Sequence, residues 1–319
     1  MPLIDMTLKN LKKYAGTNPC PPDFDKYWDD ALAEMKATDS QVELVSSNFS
    51  VPCADCFDLY FTGVRGARLH AKYLRPKSSP EPHPAILLFH GYASNCGDWN
   101  DKLNLVALGF SVAALDCRGQ GGNSEDTGRV KGATYRGHII RGLDDSPENL
   151  LFRQIFLDTA QLASIIMDMP EVDSERVGAM GRSQGGGLTL ACSSLEPRIK
   201  RLAPVAPFLC DYKRVWEMDL AKDAYDELKM YFRYFDPLHE RENEIFTKLG
   251  YIDLQHLVKR IKGEVLMGTG LLDTICPPST QFAAYNKIKA PKNMIIYPDF
   301  THEGLPGFGD MTIKFMLGL

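Results

Sequence analysis

The sequence lacks the features that mark a membrane or secreted protein. No apolar run approaches the roughly 20 residues needed to cross a bilayer, and the N-terminus, Met1-Pro-Leu-Ile-Asp-Met6, has neither the basic nor the apolar region of a signal peptide. An excess of basic residues is also missing, because the 319-residue chain has a formal net charge of −5. That charge disfavours nucleic acid and anionic membranes as partners. We therefore expect a cytoplasmic protein with no membrane and no nucleic-acid partner.

Motifs that bind metals or cofactors are equally scarce. The chain has eight cysteines, but only Cys53-Ala-Asp-Cys56 forms a C-x-x-C pair, and no second pair follows at zinc-ribbon spacing. The glycine-rich stretch Arg118-Gly-Gln-Gly-Gly122 lacks the third glycine of G-x-G-x-x-G and also lacks a Walker lysine. These absences favour free thiols over a metal or redox site, and a backbone-shaping role for 118–122 over phosphate binding. We expect neither a metal nor another cofactor.

What is present is an alternation of short apolar runs and helical patterns that is typical of a parallel sheet. Before it come a helix over about 24–36 and antiparallel strands within 42–74. Two segments break the rhythm: a long glycine-rich stretch at about 118–147 and a segment with helical periodicity at about 211–261. The pattern predicts a single α/β domain over 1–319 with a mostly parallel central sheet flanked by helices. We interpret the early helix as an N-terminal extension, 211–261 as a helical cap insertion, and 118–147 as an interaction loop.

The stretch Gly181-Arg-Ser-Gln-Gly185 matches the G-x-S-x-G pattern of a nucleophile elbow. The apolar run Val177–Met180 precedes it and a predicted helix from Gln184 follows it, which is the context the motif requires. An elbow holds its serine at a strained turn, so bulky residues are excluded two positions away on either side. Ser183 is therefore the candidate nucleophile.

A serine nucleophile needs a base and an orienting carboxylate, which follow it in the order Ser, Asp, His in α/β-hydrolases. His302 follows the last predicted strand, and Asp273 follows the strand before it. We assign His302 as the base and Asp273 as its partner. Asp299 remains an alternative acid, disfavoured because it lies so near the histidine in sequence.

An oxyanion hole should combine the N–H after the nucleophile with one from the loop after the third sheet strand. Those positions are Gln184 and, in His90-Gly-Tyr92, Tyr92. Tyr92 is also the expected substrate-binding residue, and His90 is expected to brace the turn. This set predicts a serine esterase; a peptidase or thioesterase, and a binding protein that has lost catalysis, are the alternatives.

Three stretches together, Arg118-Gly-Gln120, Gly181–Gly185 and His302-Glu303, resemble the motifs of the acetyl xylan esterase and cephalosporin C deacetylase family, carbohydrate esterase family seven of the α/β-hydrolases. The stretches Gly270-Leu-Leu-Asp273 and Cys276-Pro-Pro-Ser-Thr280 resemble its acid loop, and the similarity spans essentially the whole chain. The resemblance implies an intracellular enzyme that removes acetyl groups from small acetylated sugars and from cephalosporins. It also implies a homohexamer, a dimer of trimers with its active sites facing an internal cavity.

Overall fold

The computed structural model describes residues 4–128 and 137–319 of the chain. Over those ranges, none of the helices combines the length and the apolar character that a bilayer span requires. All eight cysteines are free thiols. Of the predicted interaction loop at about 118–147, residues 129–136 lie outside the described part.

A nine-stranded sheet forms the centre of the described chain, in the order β1-β2-β3-β5-β4-β6-β7-β8-β9. The first three strands run antiparallel to their neighbours, and β4 to β9 pair in parallel. The strands are β1 (Glu43–Ser46), β2 (Ala54–Thr62), β3 (Arg68–Pro76), β4 (His83–Phe89), β5 (Ser111–Leu115), β6 (Val172–Arg182), β7 (Arg201–Val205), β8 (Glu264–Gly270) and β9 (Lys292–Tyr297). The predicted mostly parallel sheet is confirmed.

One expectation about strand order needs correction. The loop at His90 follows the fourth strand of the sheet in chain order, whereas the sequence indicated the third. The additional strand is β1, whose four residues are all exposed. An edge strand of this kind has no alternation of buried and exposed side chains, and that alternation is the signal by which strands are recognised in a sequence.

Helices cover both faces of the sheet because side chains alternate between its faces. Ala85 and Leu87 of β4 belong to the core on one face, while Ile86 belongs to the core on the other. The first face packs against α2 (Phe24–Ala37), α4 (Leu151–Met167) and α5 (Gln184–Leu195), and the second against α3 (Leu103–Ala107) and α11 (Phe308–Met316). The helix predicted at about 24–36 is confirmed as α2.

Between β7 and β8 the chain forms the helices expected at about 211–261. They are α6 (Tyr212–Glu217), α7 (Asp226–Phe235), α8 (Glu242–Leu249) and α9 (Leu254–Leu257), joined by short 3-10 turns. Most of their aromatic side chains are buried in the larger core or pack against it, and Tyr234 of α7 is exposed. The remaining helices are the short α1 (Leu8–Leu11) and α10 (Pro278–Lys287), which follows the loop after β8. The description of this segment as a cap over the site stays a prediction.

Candidate active site

Ser183 stands on a strained turn between β6 and α5. Its backbone angles are φ 58° and ψ −120°, a region that non-glycine residues rarely adopt. Its N–H donates to the Val205 carbonyl at 2.9 Å, and its carbonyl accepts from the Gly187 and Phe208 N–H groups, each at 3.0 Å. These bonds to the neighbouring strand and loop hold the serine backbone in an otherwise unfavourable conformation.

The two glycines of the motif are required by close backbone contacts. A Cβ on Gly181 would lie 2.5 Å from the Gly185 carbonyl oxygen, and a Cβ on Gly185 would lie 2.0 Å from that of Phe89. No side chain fits at either distance, because both obstacles are main-chain atoms that cannot rotate away. The G-x-S-x-G pattern is thus the steric consequence of packing this turn against the end of β4.

Asp273 and His302 form a hydrogen-bonded pair at the carboxyl edge of the sheet. The Asp273 side chain is fully buried, and its Oδ2 lies 2.7 Å from His302 Nδ1. Its Oδ1 accepts from the Ile275 and Cys276 N–H groups at 2.9 and 2.8 Å. A carboxylate partner assigns the proton to Nδ1 and leaves His302 Nε2 as the acceptor. Asp299, the alternative acid, is exposed to solvent.

Cys276 connects this pair to the candidate nucleophile. Its Sγ lies within 4.8 Å of the ligand atoms of Asp273 and His302, and the Ser183 side chain is near enough to lower the pKa of its thiol against the larger effect of burial. Burial raises the pKa of the Cys276 thiol well above its ordinary value, so the sulfur is a neutral neighbour. The serine side chain therefore reaches the loop that carries the acid.

Backbone bonds join the loop after β8 to the end of β9 and to the loop that follows it. The Leu271 N–H donates to the Tyr297 carbonyl at 3.0 Å, and the Leu272 N–H donates to the Phe300 carbonyl at 2.9 Å. Glu303 orders the histidine loop itself, because its Oε1 accepts from both the N–H and the hydroxyl of Thr301. Asp273 and His302 are thus presented by two loops that are fixed to each other.

Gln184 is the first residue of α5, so its N–H is one of the unpaired donors at a helix N-terminus. Its side-chain amide is buried and pairs with that of Gln120 in both directions, at 2.9 Å each. The Gln120 Oε1 also accepts from the Ala93 N–H at 2.9 Å. Gln120 therefore fastens the loop that carries Tyr92 to the start of the elbow helix.

His90 braces the other end of that loop. Its Nδ1 lies 2.7 Å from the Gly91 carbonyl oxygen, and its Nε2 lies 3.0 Å from the Cys117 nitrogen. The Cys117 N–H donates to Nε2, so Nδ1 carries the proton, and burial lowers the pKa of His90. A neutral imidazole donating at one end and accepting at the other supports the turn, in the manner expected from the sequence.

The Tyr92 side chain is held by the helical segment between β7 and β8. Its hydroxyl donates to Glu227 Oε1, and its ring meets Phe208 edge-on at 5.6 Å between centroids. A cavity of about 340 Å³ lies beside it. His138, residues 223 and 224 and the first two residues of α7 also line this cavity. The hydrogen bond to Glu227 was not foreseen, since nothing in the sequence near either residue indicates it.

Arg118 opens the glycine-rich stretch but faces the interior. Its guanidinium forms a two-pronged contact with the Asp158 carboxylate, at 2.7 and 2.5 Å, and also donates to the Val64 carbonyl. Both side chains are 1% exposed. An arginine held in this way anchors the start of the 118–147 stretch to α4 and is not available to a phosphate.

Within residues 4–128 and 137–319, two groups of side chains combine donors that metals favour. They are His70, Cys96 and Asp116, and the trio of Asp273, Cys276 and His302. In each group the imidazole already bonds the carboxylate at 2.7 Å, so hydrogen bonding accounts for the proximity. We assign no metal to either group.

A strained serine between strand and helix and a buried aspartate–histidine pair, both on loops of a largely parallel sheet, are features of the hydrolases that share the α/β-hydrolase fold. The family can be stated as well. The model of the acetyl xylan esterase family matches residues 1–319, and the chain belongs to that family of carboxylic ester hydrolases.

Individual relatives agree with this assignment. The crystal structure of acetyl xylan esterase 1 from Thermoanaerobacterium sp. JW/SL YS485 is 63% identical, covers 98% of this chain and 99% of its own, and superimposes with a TM-score of 0.97. An acetyl xylan esterase from Paenibacillus sp. R4 is 35% identical, with 98% and 99% coverage and a TM-score of 0.92. An acetyl esterase of Xylanibacter ruminicola is 25% identical over 92% of this chain, which spans only 65% of that relative's length.

Proposed function

We propose that this protein is a serine esterase that hydrolyses acetyl esters of small substrates through an acetyl-enzyme intermediate. The observation that carries the proposal is the Asp273–His302 pair, with His302 Nδ1 bound to a buried carboxylate, next to a serine held on the elbow. Catalytic roles for Ser183, Asp273 and His302, and oxyanion-hole roles for the Gln184 and Tyr92 N–H groups, are parts of this proposal.

The geometry supports the following sequence of steps. Ser183 Oγ attacks the acetyl carbonyl carbon while His302 Nε2 takes the hydroxyl proton, and Asp273 stabilises the resulting imidazolium. The carbonyl oxygen becomes an oxyanion that accepts from the Gln184 and Tyr92 N–H groups. Collapse breaks the bond to the alcohol, which leaves with the proton from His302. Water, deprotonated by His302, then attacks the acetyl-serine, and acetate departs as Ser183 regains its proton.

A chromogenic acetyl ester tests the chemistry. p-Nitrophenyl acetate should be hydrolysed by the wild-type protein and not by Ser183→Ala. A series from acetate to butyrate esters should show a steep fall, because a closed acyl pocket that fits acetyl is overpacked by about 1–3 kcal/mol with longer chains, or roughly ten- to a hundredfold in rate. A flat profile, or faster cleavage of peptides or acyl thioesters, would favour the alternative hydrolase activities.

The substrate class we propose is acetylated xylo-oligosaccharides, with cephalosporin C as a second substrate. Support comes from the family and from the names of the two solved structures above, which are acetyl xylan esterases. Acetate release from short acetylated xylo-oligosaccharides, measured beside release from cephalosporin C and from insoluble acetylated xylan, tests both. Equal activity on the polymer and on the oligomers would contradict the preference for small substrates.

A homohexamer in the cytoplasm is the assembly that we propose. The family resemblance supports it, and so does β1, an edge strand whose Leu44 and Val45 side chains are 38% and 42% exposed. Exposed apolar edge strands favour pairing with another chain. Light scattering should give a mass near six times 35.7 kDa, and a monomer at working concentration would contradict the proposal.

A further inference from the structure

Glu227 is a buried carboxylate that the steps above do not use. It lies in the first turn of α7 and is 5% exposed. Its Oε1 accepts from the Tyr92 hydroxyl, and its Oε2 accepts from the Ile140 N–H at 2.9 Å. The main-chain N–H groups of His138 and Ile139 lie near the same carboxylate and lower its pKa against the larger effect of burial. Its donors therefore come from two loops that are far apart in the sequence.

The backbone around this carboxylate is shaped to receive it. Gly137 has a φ of +134°, and a Cβ there would lie 2.3 Å from Glu227 Oε2. Successive N–H groups that converge on one point form a concave anion site, which here is filled by the side chain of the protein itself. Burial of the carboxylate costs free energy unless its hydrogen bonds are satisfied. Glu227 therefore stays buried only while the donors from both loops remain in place.

Tyr92 transmits this arrangement to the nucleophile. Its hydroxyl is bound by Glu227 and also accepts from the His138 N–H at 3.3 Å. Its ring packs on Phe208, whose own N–H donates to the Ser183 carbonyl at 3.0 Å. Because the hydroxyl and the ring of Tyr92 are both held in place, its main chain has little freedom to turn the N–H to another direction.

We propose that Glu227 is a positioning residue of the esterase: by binding the Tyr92 hydroxyl, it holds the Tyr92 N–H in the direction that the oxyanion requires. This inference rests on the proposed function. It means that the oxyanion hole is completed by α7 and residues 137–140, outside the motifs that identify the chain. It also means that displacing α7 lowers the rate without touching the catalytic triad.

The test compares Glu227→Gln, Tyr92→Phe and the double variant with Lys229→Gln, a control at an exposed position of the same helix. We measure kcat and KM on p-nitrophenyl acetate, and the inhibition constant of a boronic acid, whose tetrahedral adduct mimics the oxyanion. Misplacement of one oxyanion donor should lower kcat by about ten- to a hundredfold, leave KM within about twofold, and weaken boronate inhibition by the same factor as kcat. The double variant should match Tyr92→Phe, because that substitution already removes the hydroxyl through which Glu227 would act.

Each outcome decides the question. A Glu227→Gln variant that melts earlier but keeps its kcat and boronate affinity overturns the proposal and leaves a purely structural role. If that variant does not fold, wild-type kinetics in Tyr92→Phe overturn it equally. If the wild-type protein shows no turnover, or turnover that persists in Ser183→Ala, the proposed function itself is contradicted. Normal turnover in the Glu227 and Tyr92 variants contradicts only the positioning role.

Discussion

Two buried carboxylates support the two sides of this site, and they are held in opposite ways. Asp273 takes its main-chain donors from residues two and three positions later in its own loop, and Gln281, eight positions later, adds a longer bond at 3.4 Å. Glu227 takes its donors from Tyr92 and Ile140, which lie 135 and 87 positions away. Asp273 therefore takes most of its hydrogen bonds from residues close to it in the sequence, while the surroundings of Glu227, on the proposed oxyanion side, form only after distant segments have packed together.

The difference explains which parts could be predicted. A loop that follows a parallel strand carries its aspartate to the sheet edge whatever the rest of the chain does, so Asp273 and His302 could be named from position alone. Ser183 could be named because steric contacts impose glycines around it. Glu227 belongs to a helix whose other signals are apolar periodicity and surface charge, and a single acidic residue in such a helix is usually exposed to solvent.

The same reasoning applies to the support of the oxyanion loop. Gln120 was placed in a motif by resemblance, but its amide pair with Gln184 joins residues 64 positions apart. Spacing carries no information about such a contact, because it depends on how two loops meet in the folded chain. The mostly parallel sheet and α2, in contrast, follow from local periodicity and were predicted from it.

The largest expected effect comes from removing any one of the three proposed catalytic side chains. Ser183→Ala, His302→Ala and Asp273→Asn should each lower kcat by roughly several orders of magnitude, and combinations should lose little more, since the three act as a unit. Steady-state kinetics on p-nitrophenyl acetate measure this, with circular dichroism to verify folding. Asp299→Asn serves as the matched control and should retain wild-type turnover. A fast Asp273→Asn enzyme would transfer the acid role elsewhere.

A second test sharpens the comparison through pH and stability. Burial raises the pKa of Glu227 from an ordinary value near 4.5 to about 7, so the folded state favours the protonated acid. The stabilisation of the folded state by protonated Glu227 is fully present below pH 4.5 and is lost as the pH rises through 7. One pKa unit is worth about 1.4 kcal/mol, which predicts that the wild type loses about 3 kcal/mol of unfolding free energy between pH 4.5 and pH 8, relative to Glu227→Gln.

Urea unfolding of both proteins at the two pH values, at equal protein concentration, gives this difference directly. Other buried acids, such as Asp253, whose pKa burial also raises to about 7, are present in both proteins and cancel. If the unfolding free energies of the two proteins change with pH in the same way, ionisation of the Glu227 carboxylate does not destabilise the fold. Glu227 and Asp273 would then differ only in how far their hydrogen-bond partners lie along the sequence.

The smallest effect is expected from the second support of the oxyanion side. Gln120→Leu removes the amide pair with Gln184 and the acceptor of the Ala93 N–H, and a donor left unpaired costs about 1–3 kcal/mol. Because Glu227 still holds Tyr92, we expect only about a tenfold loss of kcat/KM. Glu125→Gln, at an exposed position of the same loop, is the control. Unchanged kinetics in Gln120→Leu would contradict a supporting role for Gln120 and favour Glu227 in this role.

The bonds from Leu271 to the end of β9 and from Leu272 to the histidine loop have a practical consequence for protein engineering. The two loops form one module, although they are separated in the chain by α10 and β9. Grafting a histidine loop of another length from a relative would displace the Phe300 carbonyl and leave the Leu272 N–H of the acid loop unsatisfied. Exchanging both loops together preserves these pairings, so chimaeras of this enzyme should be designed with crossover points that keep the two loops from the same parent.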